Sequence, residues 1–162
     1  MVVKSSQVQP PGLDLGYLAL FLGMRVNQLV IERLSAAGFR NVRESHGYVI
    51  QHLIGRERSI SELARRMEVS QQAASKSVAE LAELGIIELI PASDRRSKNA
   101  RLSASGWKLI QQTRRIRRRI EARLIRVAGA ADHERARAVL ATCLGAVGGV
   151  ARVRTRRIQP PQ

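Results

Sequence analysis

The chain has one cysteine in 162 residues, five aromatic side chains, and only 13 acidic groups against 28 basic ones. A lone cysteine, Cys143, closes no intrachain disulfide, which excludes a disulfide-framed secreted scaffold. Its place in an apolar helical stripe predicts a packed thiol rather than a redox sensor. No apolar run approaches the ~20 residues that cross a bilayer, so no membrane partner is expected. The opening residues, with Gln7, Gln9, Pro10, Pro11 and Gly12, lack the apolar core of a signal peptide, and the expectation is a cytoplasmic protein. The chain is too short for a TIM barrel or a two-domain dinucleotide enzyme. Glycine-rich phosphate loops, a nucleophile elbow and spaced Cys/His sets are all missing. His46 and His52, six residues apart, do not share a helix face. The sequence therefore predicts no enzyme, no cofactor and no metal site.

What is present is positive charge, with a formal net of +15. Residues 104–162 alone hold 14 basic and 3 acidic side chains. Such an excess points to a polyanionic partner, of which nucleic acid is the commonest. Arginine outnumbers lysine 24 to 4, and a guanidinium suits bidentate contact with phosphate or carboxylate. The run Arg114, Arg115, Arg117, Arg118, Arg119, Arg123 and Arg126 reads first as a solvated helix face, with an anion or flanking phosphate as the alternative. Arg152, Arg154, Arg156 and Arg157 belong to a basic tail over 151–162.

Hydrophobic spacing and capping residues divide the rest. Residues 1–12 form a flexible lead. Asp14 can cap a long helix from about Leu15 to Ala37, ended by Gly38, with Leu15, Leu18, Leu22, Val26 and Leu29 on one buried face. Asn41 and Glu44 have capping-box spacing for a second helix toward Ile54, ended by Gly55. Arg56, Glu57 and Arg58 read as a turn, and Ser61 as the cap of a short third helix. Ser70 then caps a fourth helix running to Leu84. Two short helices across so tight a turn are the helix-turn-helix pattern.

In that fourth helix Ala74, Val78 and Leu81 face inward, which leaves Gln71, Gln72, Ser75, Lys76 and Ala79 outward. The start of a second helix is where such a unit meets base edges; glutamine can pair with adenine, and lysine with guanine or phosphate. Ile86–Ile90 reads as a strand, Pro91–Lys98 as a charged turn, and Asn99–Leu102 as the returning strand. A hairpin with an arginine-bearing tip suits a minor groove. Ser103 caps a fifth helix to about Val127, with Leu109, Ile116, Ile120, Leu124 and Val127 inward. Gly129 breaks it, and Asp132 caps a last helix carrying Val139, Leu140, Cys143, Leu144 and Val147. Stripes this long at both ends of the chain exceed what a head of about 60 residues can cover, so association about a two-fold axis is expected. The fold class is mainly α with a small β-hairpin wing: a winged helix-turn-helix head (41–103) on a helical dimerisation frame (13–40 and 104–150).

The order Ser61-Glu62-Leu63-Ala64, Val69-Ser70, Leu81 to Gly85-Ile86-Ile87, Asp94-Arg95-Arg96-Ser97-Lys98 and Leu102-Ser103-Ala104-Ser105-Gly106 resembles the MarR (multiple antibiotic resistance regulator) family of winged-helix regulators. Ser103 stands where that family has threonine. The resemblance implies a homodimer that sets two heads on a pseudo-palindromic double-stranded DNA operator, most often as a repressor. It places Ser70, Gln71, Gln72, Ser75 and Lys76 at the recognition helix. Arg95, Arg96, Ser97 and Lys98 fall in the wing, Arg96 as the minor-groove arginine, with Asp94 as the acid that holds a wing arginine. It further implies a small anionic or phenolic effector in a cleft of the first, second and fifth helices, for which Tyr17, Arg43, His46 and Trp107 are the candidates. The competing reading is a nucleoid-type DNA binder without an effector.

Overall fold

The computed structural model describes residues 12–91 and 98–149. Six helices and three short strands follow in the order α1 (Leu15–Ala36), α2 (His46–Leu53), β1 (Arg58–Ser59), α3 (Ile60–Met67), α4 (Gln71–Glu83), β2 (Ile87–Pro91), β3 (Lys98–Leu102), α5 (Ala104–Ala128) and α6 (Ala130–Ala146). The strands form one antiparallel sheet in the order β1-β3-β2, with Ile87 opposite Leu102 and Pro91 opposite Lys98. This is a mainly helical winged helix-turn-helix, as the spacing of caps and apolar residues requires.

The caps carry most of that agreement. Asp14 Oδ1 accepts the Tyr17 amide at 2.9 Å, Ser70 Oγ the Ala73 amide at 3.1 Å, and Ser103 Oγ the Gly106 amide at 3.0 Å. Each satisfies a donor that the first helical turn leaves unpaired. Gly85, at φ 68°, ends α4 in the left-handed region and turns the chain directly into β2.

Four local expectations are corrected. Asn41 sits at φ 62°, left-handed rather than extended, so it caps nothing. Ser45 precedes α2 without a side-chain cap, and the Glu44 carboxylate instead accepts from Asn27 of α1 at 2.5 Å. Ser59, not Ser61, caps α3: its Oγ accepts the Glu62 amide at 3.1 Å because β1 delivers the chain to the helix two residues earlier. Asp132 lies inside the first turn of α6, whose start is set by Gly129 at φ 86°. Arg58 is not a turn residue. It pairs with Ala100 in β1 and is buried, with Nε donating to the His52 carbonyl at 2.7 Å and Nη1 bound to Glu62.

The core is one cluster running from Val30 and Leu34 of α1 through α2, α3 and α4 to Ile87, Leu102, and Leu109, Ile110, Ile116 and Ile120 of α5. Only the last turns of α1 join it. Leu15, Leu18 and Leu22, expected on a buried face, are exposed, Leu22 by 50%, and Phe21 is exposed beside them. Val127 is 73% exposed, and no residue of α6 is buried. Cys143 is likewise exposed, not packed. The stripes exist with the expected periodicity, but among the described residues nothing covers them. No helix among the described residues is long and apolar enough to cross a membrane.

Candidate nucleic-acid interface

Alpha-helix α4 is held from below and presented above. Ala74, Val78 and Leu81 are buried against α3 and the sheet, and Gln71, Gln72, Ala73, Ser75, Lys76 and Ala79 are exposed on the other side. Between the two helices Glu68 takes the left-handed conformation (φ 58°) and Val69 N–H returns to the Ala64 carbonyl at 3.1 Å. The first turn of α4 thus presents amide side chains at the positive end of the helix, the arrangement that accepts a phosphate or a base edge. Beside it, β2 and β3 carry the hairpin, stiffened by the Arg101–Glu88 ion pair at 2.9 Å and by Asn99 donating to Glu57 at 3.1 Å. Lys98 is exposed at the turn end of the ladder, opposite Pro91. Asp94, Arg95, Arg96 and Ser97 lie outside the described residues, as does the tail with Arg152, Arg154, Arg156 and Arg157.

Gly106 explains why the α5 entry has its sequence. A Cβ there would overlap the Ile86 carbonyl oxygen and stand 3.1 Å from Leu102 Cδ2. Ser103 ties the same point: its N–H donates to Ile86 at 3.0 Å and its hydroxyl reaches the Gly85 carbonyl at 2.6 Å. The end of α4, the start of the wing and the start of α5 therefore share one joint.

A cleft of about 410 Å³ lies between α1, α2 and α5, the three helices expected to form it. Its walls are apolar, chiefly Val30, Leu34, Val42, Ile50, Ile54 and Leu109. Three guanidinium groups, Arg43, Arg114 and Arg117, face it against one carboxylate, Glu44. Arg117 donates to Asn27 Oδ1 at 2.7 Å, so its partner is neutral. Of the four side chains proposed from sequence, only Arg43 lines this space. Tyr17 stacks on Phe21 far up α1, with ring centroids 6.4 Å apart, and is exposed. Trp107 faces outward on the first turn of α5. His46 is buried behind Arg43, 2% exposed. Asn27 and Thr113 were missed, and Arg114 and Arg117, read from sequence with an anion only as the alternative to a solvated face, were not placed in the cleft. Arg114 and Arg117 were visible as cations four and seven residues beyond Ile110 on α5, but the run they belong to reads as a solvated face.

His46 connects the cleft to α4. Its Nδ1 accepts the Arg43 backbone N–H at 3.2 Å, which assigns the ring proton to Nε2, 3.3 Å from Glu80 Oε2 of α4. Arg43 Nη2 is itself ion-paired to the same Glu80 oxygen. Burial lowers the His46 pKa below the ordinary imidazole value, opposed by the hydrogen bond to Glu80. The Glu80 carboxyl is held below the usual carboxylate range, first by the Arg43 hydrogen bond and then by His46.

The remaining arginines separate by face. Arg33 of α1 with Arg119, Arg123 and Arg126 of α5 lines a second, shallower groove of about 600 Å³ that contains no carboxylate among the described residues. Elsewhere Arg25, Arg66, Arg135 and Arg137 each pair with an acid. No group of three or more His, Cys, Asp or Glu residues among those described is placed to hold a metal ion.

Comparison with known proteins adds three findings. Residues 42–97 match the MarR family model. A curated relative, the transcriptional regulator MntR of Escherichia coli O157:H7, is 39% identical over 101 residues, 56% of this chain and 61% of that protein. The chain thus spans about three-fifths of the length of that relative. Among solved structures, YusO of Bacillus subtilis superposes with a TM-score of 0.67 at 22% identity, covering 82% of this chain and 92% of that one. A mutant of Staphylococcus aureus MepR bound to an oligodeoxyribonucleotide superposes with a TM-score of 0.62 at 18% identity, over 83% and 99% of the two chains. At these identities the structures establish a shared fold, and the family likeness is carried by the head: residues 42–97 match the MarR family model within a winged-helix fold like that of YusO and MepR.

Proposed function

We propose that the chain is a DNA-binding transcription regulator, a homodimer that reads a pseudo-palindromic operator, represses from it, and releases it when a small anionic effector enters the cleft. One observation carries this reading: a capped α4 whose first turn exposes Gln71, Gln72, Ser75 and Lys76 directly beside a wing. Ser70 shapes that turn, and the four side chains reach base edges or phosphates in a major groove. Arg95, Arg96, Ser97 and Lys98 of the wing follow the adjacent minor groove, with Asp94 holding a wing arginine. Residues 41–103 form the head, and 13–40 with 104–150 the dimer frame.

The uncovered apolar stripes support pairing. Leu18, Phe21 and Leu22 on α1 and Val139, Leu140 and Leu144 on α6 are exposed over helices about 33 and 26 Å long. Patches of that extent mark an interface, and a second copy related by two-fold symmetry covers both at once. The cleft supports an effector with an apolar body and an anionic head: its volume is in the range of ligand sites, its walls are aliphatic, and its charge is positive. The relatives are regulators, and the reading assigns the chain no catalytic step.

The carboxylate-free groove of Arg33, Arg119, Arg123 and Arg126 favours the second reading, a structural DNA binder that ignores sequence. One competition series separates the two. A regulator retains at least ~10³-fold preference for its own site over unrelated duplex at physiological salt. A structural binder loses affinity steeply with salt and shows no preference, and that result overturns the proposal.

A further inference from the structure

We propose that Arg43 is a cation shared between two carboxylates: it holds Glu80 of α4 when the cleft is empty, and the head group of a carboxylate ligand in the cleft takes it away. The inference rests on the reading of the cleft as an anion site and adds how that site reaches the helix that meets DNA. Arg43 is the residue that both lines the cleft and bonds α4. Among the described residues Arg114 and Arg117 face the cleft without a carboxylate partner, Arg117 bonding only the neutral Asn27, so a ligand carboxylate entering there meets three guanidinium groups, of which Arg43 already holds an acid. An arginine satisfies a carboxylate best through two parallel N–H bonds, and the two acids compete for that fork. A ligand acts on DNA affinity only through such a difference between states.

The exchange has a proton consequence. The charged groups facing His46 are Arg43, from the segment before α2, and Glu80, from α4. With Arg43 withdrawn toward the ligand, the repulsive neighbour of His46 leaves and the attractive one stays. Nδ1 then takes a proton from solvent, releases the Arg43 backbone N–H, and the imidazolium replaces the guanidinium as the partner of Glu80. Anchoring of α4 passes from an arginine on the cleft rim to a histidine beneath it, and α4 is repositioned.

The probes are 2-naphthoate and its neutral analogue 2-naphthamide, measured by calorimetry on the wild-type chain and on Glu80→Gln. Removing the competing acid is expected to tighten naphthoate binding about fivefold, the worth of one partly exposed ion pair, and to leave naphthamide unchanged. Equal naphthoate affinity in both proteins overturns the exchange while leaving the cleft reading intact. Failure of naphthoate to bind the wild-type chain overturns both. The wild-type chain gives an independent check should Glu80→Gln misfold. Near pH of about 6.5, the ordinary imidazole value, naphthoate is expected to bind with net proton uptake, seen as a dependence of heat on buffer ionisation enthalpy. Uptake that is absent, or equal for naphthamide, refutes the exchange.

Discussion

Replacing Gly106 by alanine tests how the head is joined to the frame. The added Cβ would overlap the Ile86 carbonyl oxygen and press on Leu102 Cδ2 at 3.1 Å. The first obstacle is backbone, and that backbone is fixed twice, by the Ser103 amide on the Ile86 carbonyl and by the Ser103 hydroxyl on the Gly85 carbonyl. The Leu102 side chain can give way, but the carbonyl cannot, so α5 must move off Ile86 by several tenths of an ångström or more. Forcing an extra carbon into a packed site costs about 1–3 kcal/mol, and a backbone obstacle belongs at the upper end. For a chain of this size that is a fall in Tm of about 6–12 °C. Ser103→Ala, which removes a cap and leaves space, is expected to cost only about 1 kcal/mol. Denaturant titration of both variants beside the wild-type chain checks the order. If Gly106→Ala unfolds within ~0.5 kcal/mol of wild type, the tight joint is not there and the explanation of the glycine is refuted.

Three further outcomes follow from the same contacts. His46 has a lowered pKa, so the unfolded chain protonates first as the pH falls; stability is whole above about 6.5 and is lost toward the folded value, and His46→Gln flattens that slope in thermal melts between pH of about 7 and 5. Glu62 and Glu80 are also lowered, so their contribution is present above the ordinary carboxylate value and is lost at lower pH. Glu62→Ala leaves the buried Arg58 charge without its acid and is expected to cost about 3 kcal/mol by denaturant titration; a change below ~1 kcal/mol contradicts the account of Arg58. Arg96→Ala is expected to weaken operator binding roughly tenfold, the value of one good groove contact, with helix content and dimer mass unchanged; equal affinity removes the wing from DNA recognition.

The legible part of this molecule was written in local signals. Asp14, Ser70 and Ser103 each cap the helix that follows, and the inward set Ala74, Val78 and Leu81 determines which side chains of α4 face outward. A cap needs only its own first turn, so sequence suffices. Asn41 failed because capping-box spacing says nothing of φ, and a left-handed asparagine fits the bend between α1 and α2 better. Arg58 failed because a buried arginine in a two-residue strand is stabilised by β3, some 40 residues away. The cleft shows the same limit. Its three helices were named correctly, but Tyr17 and Trp107 were chosen for chemistry while Arg114, Arg117 and Asn27 were there by helical phase and crossing geometry. Glu80 had no signal at all, since its role depends on Arg43 arriving from another element.

The decisive measurement is selection of bound duplexes from a random DNA pool, followed by footprinting and mass determination of the complex. Two copies on one duplex, protecting mirrored half-sites centred about 10 base pairs apart, is the expected result. A single unmirrored site held by one copy, or a pool that gains no shared sequence, would contradict it.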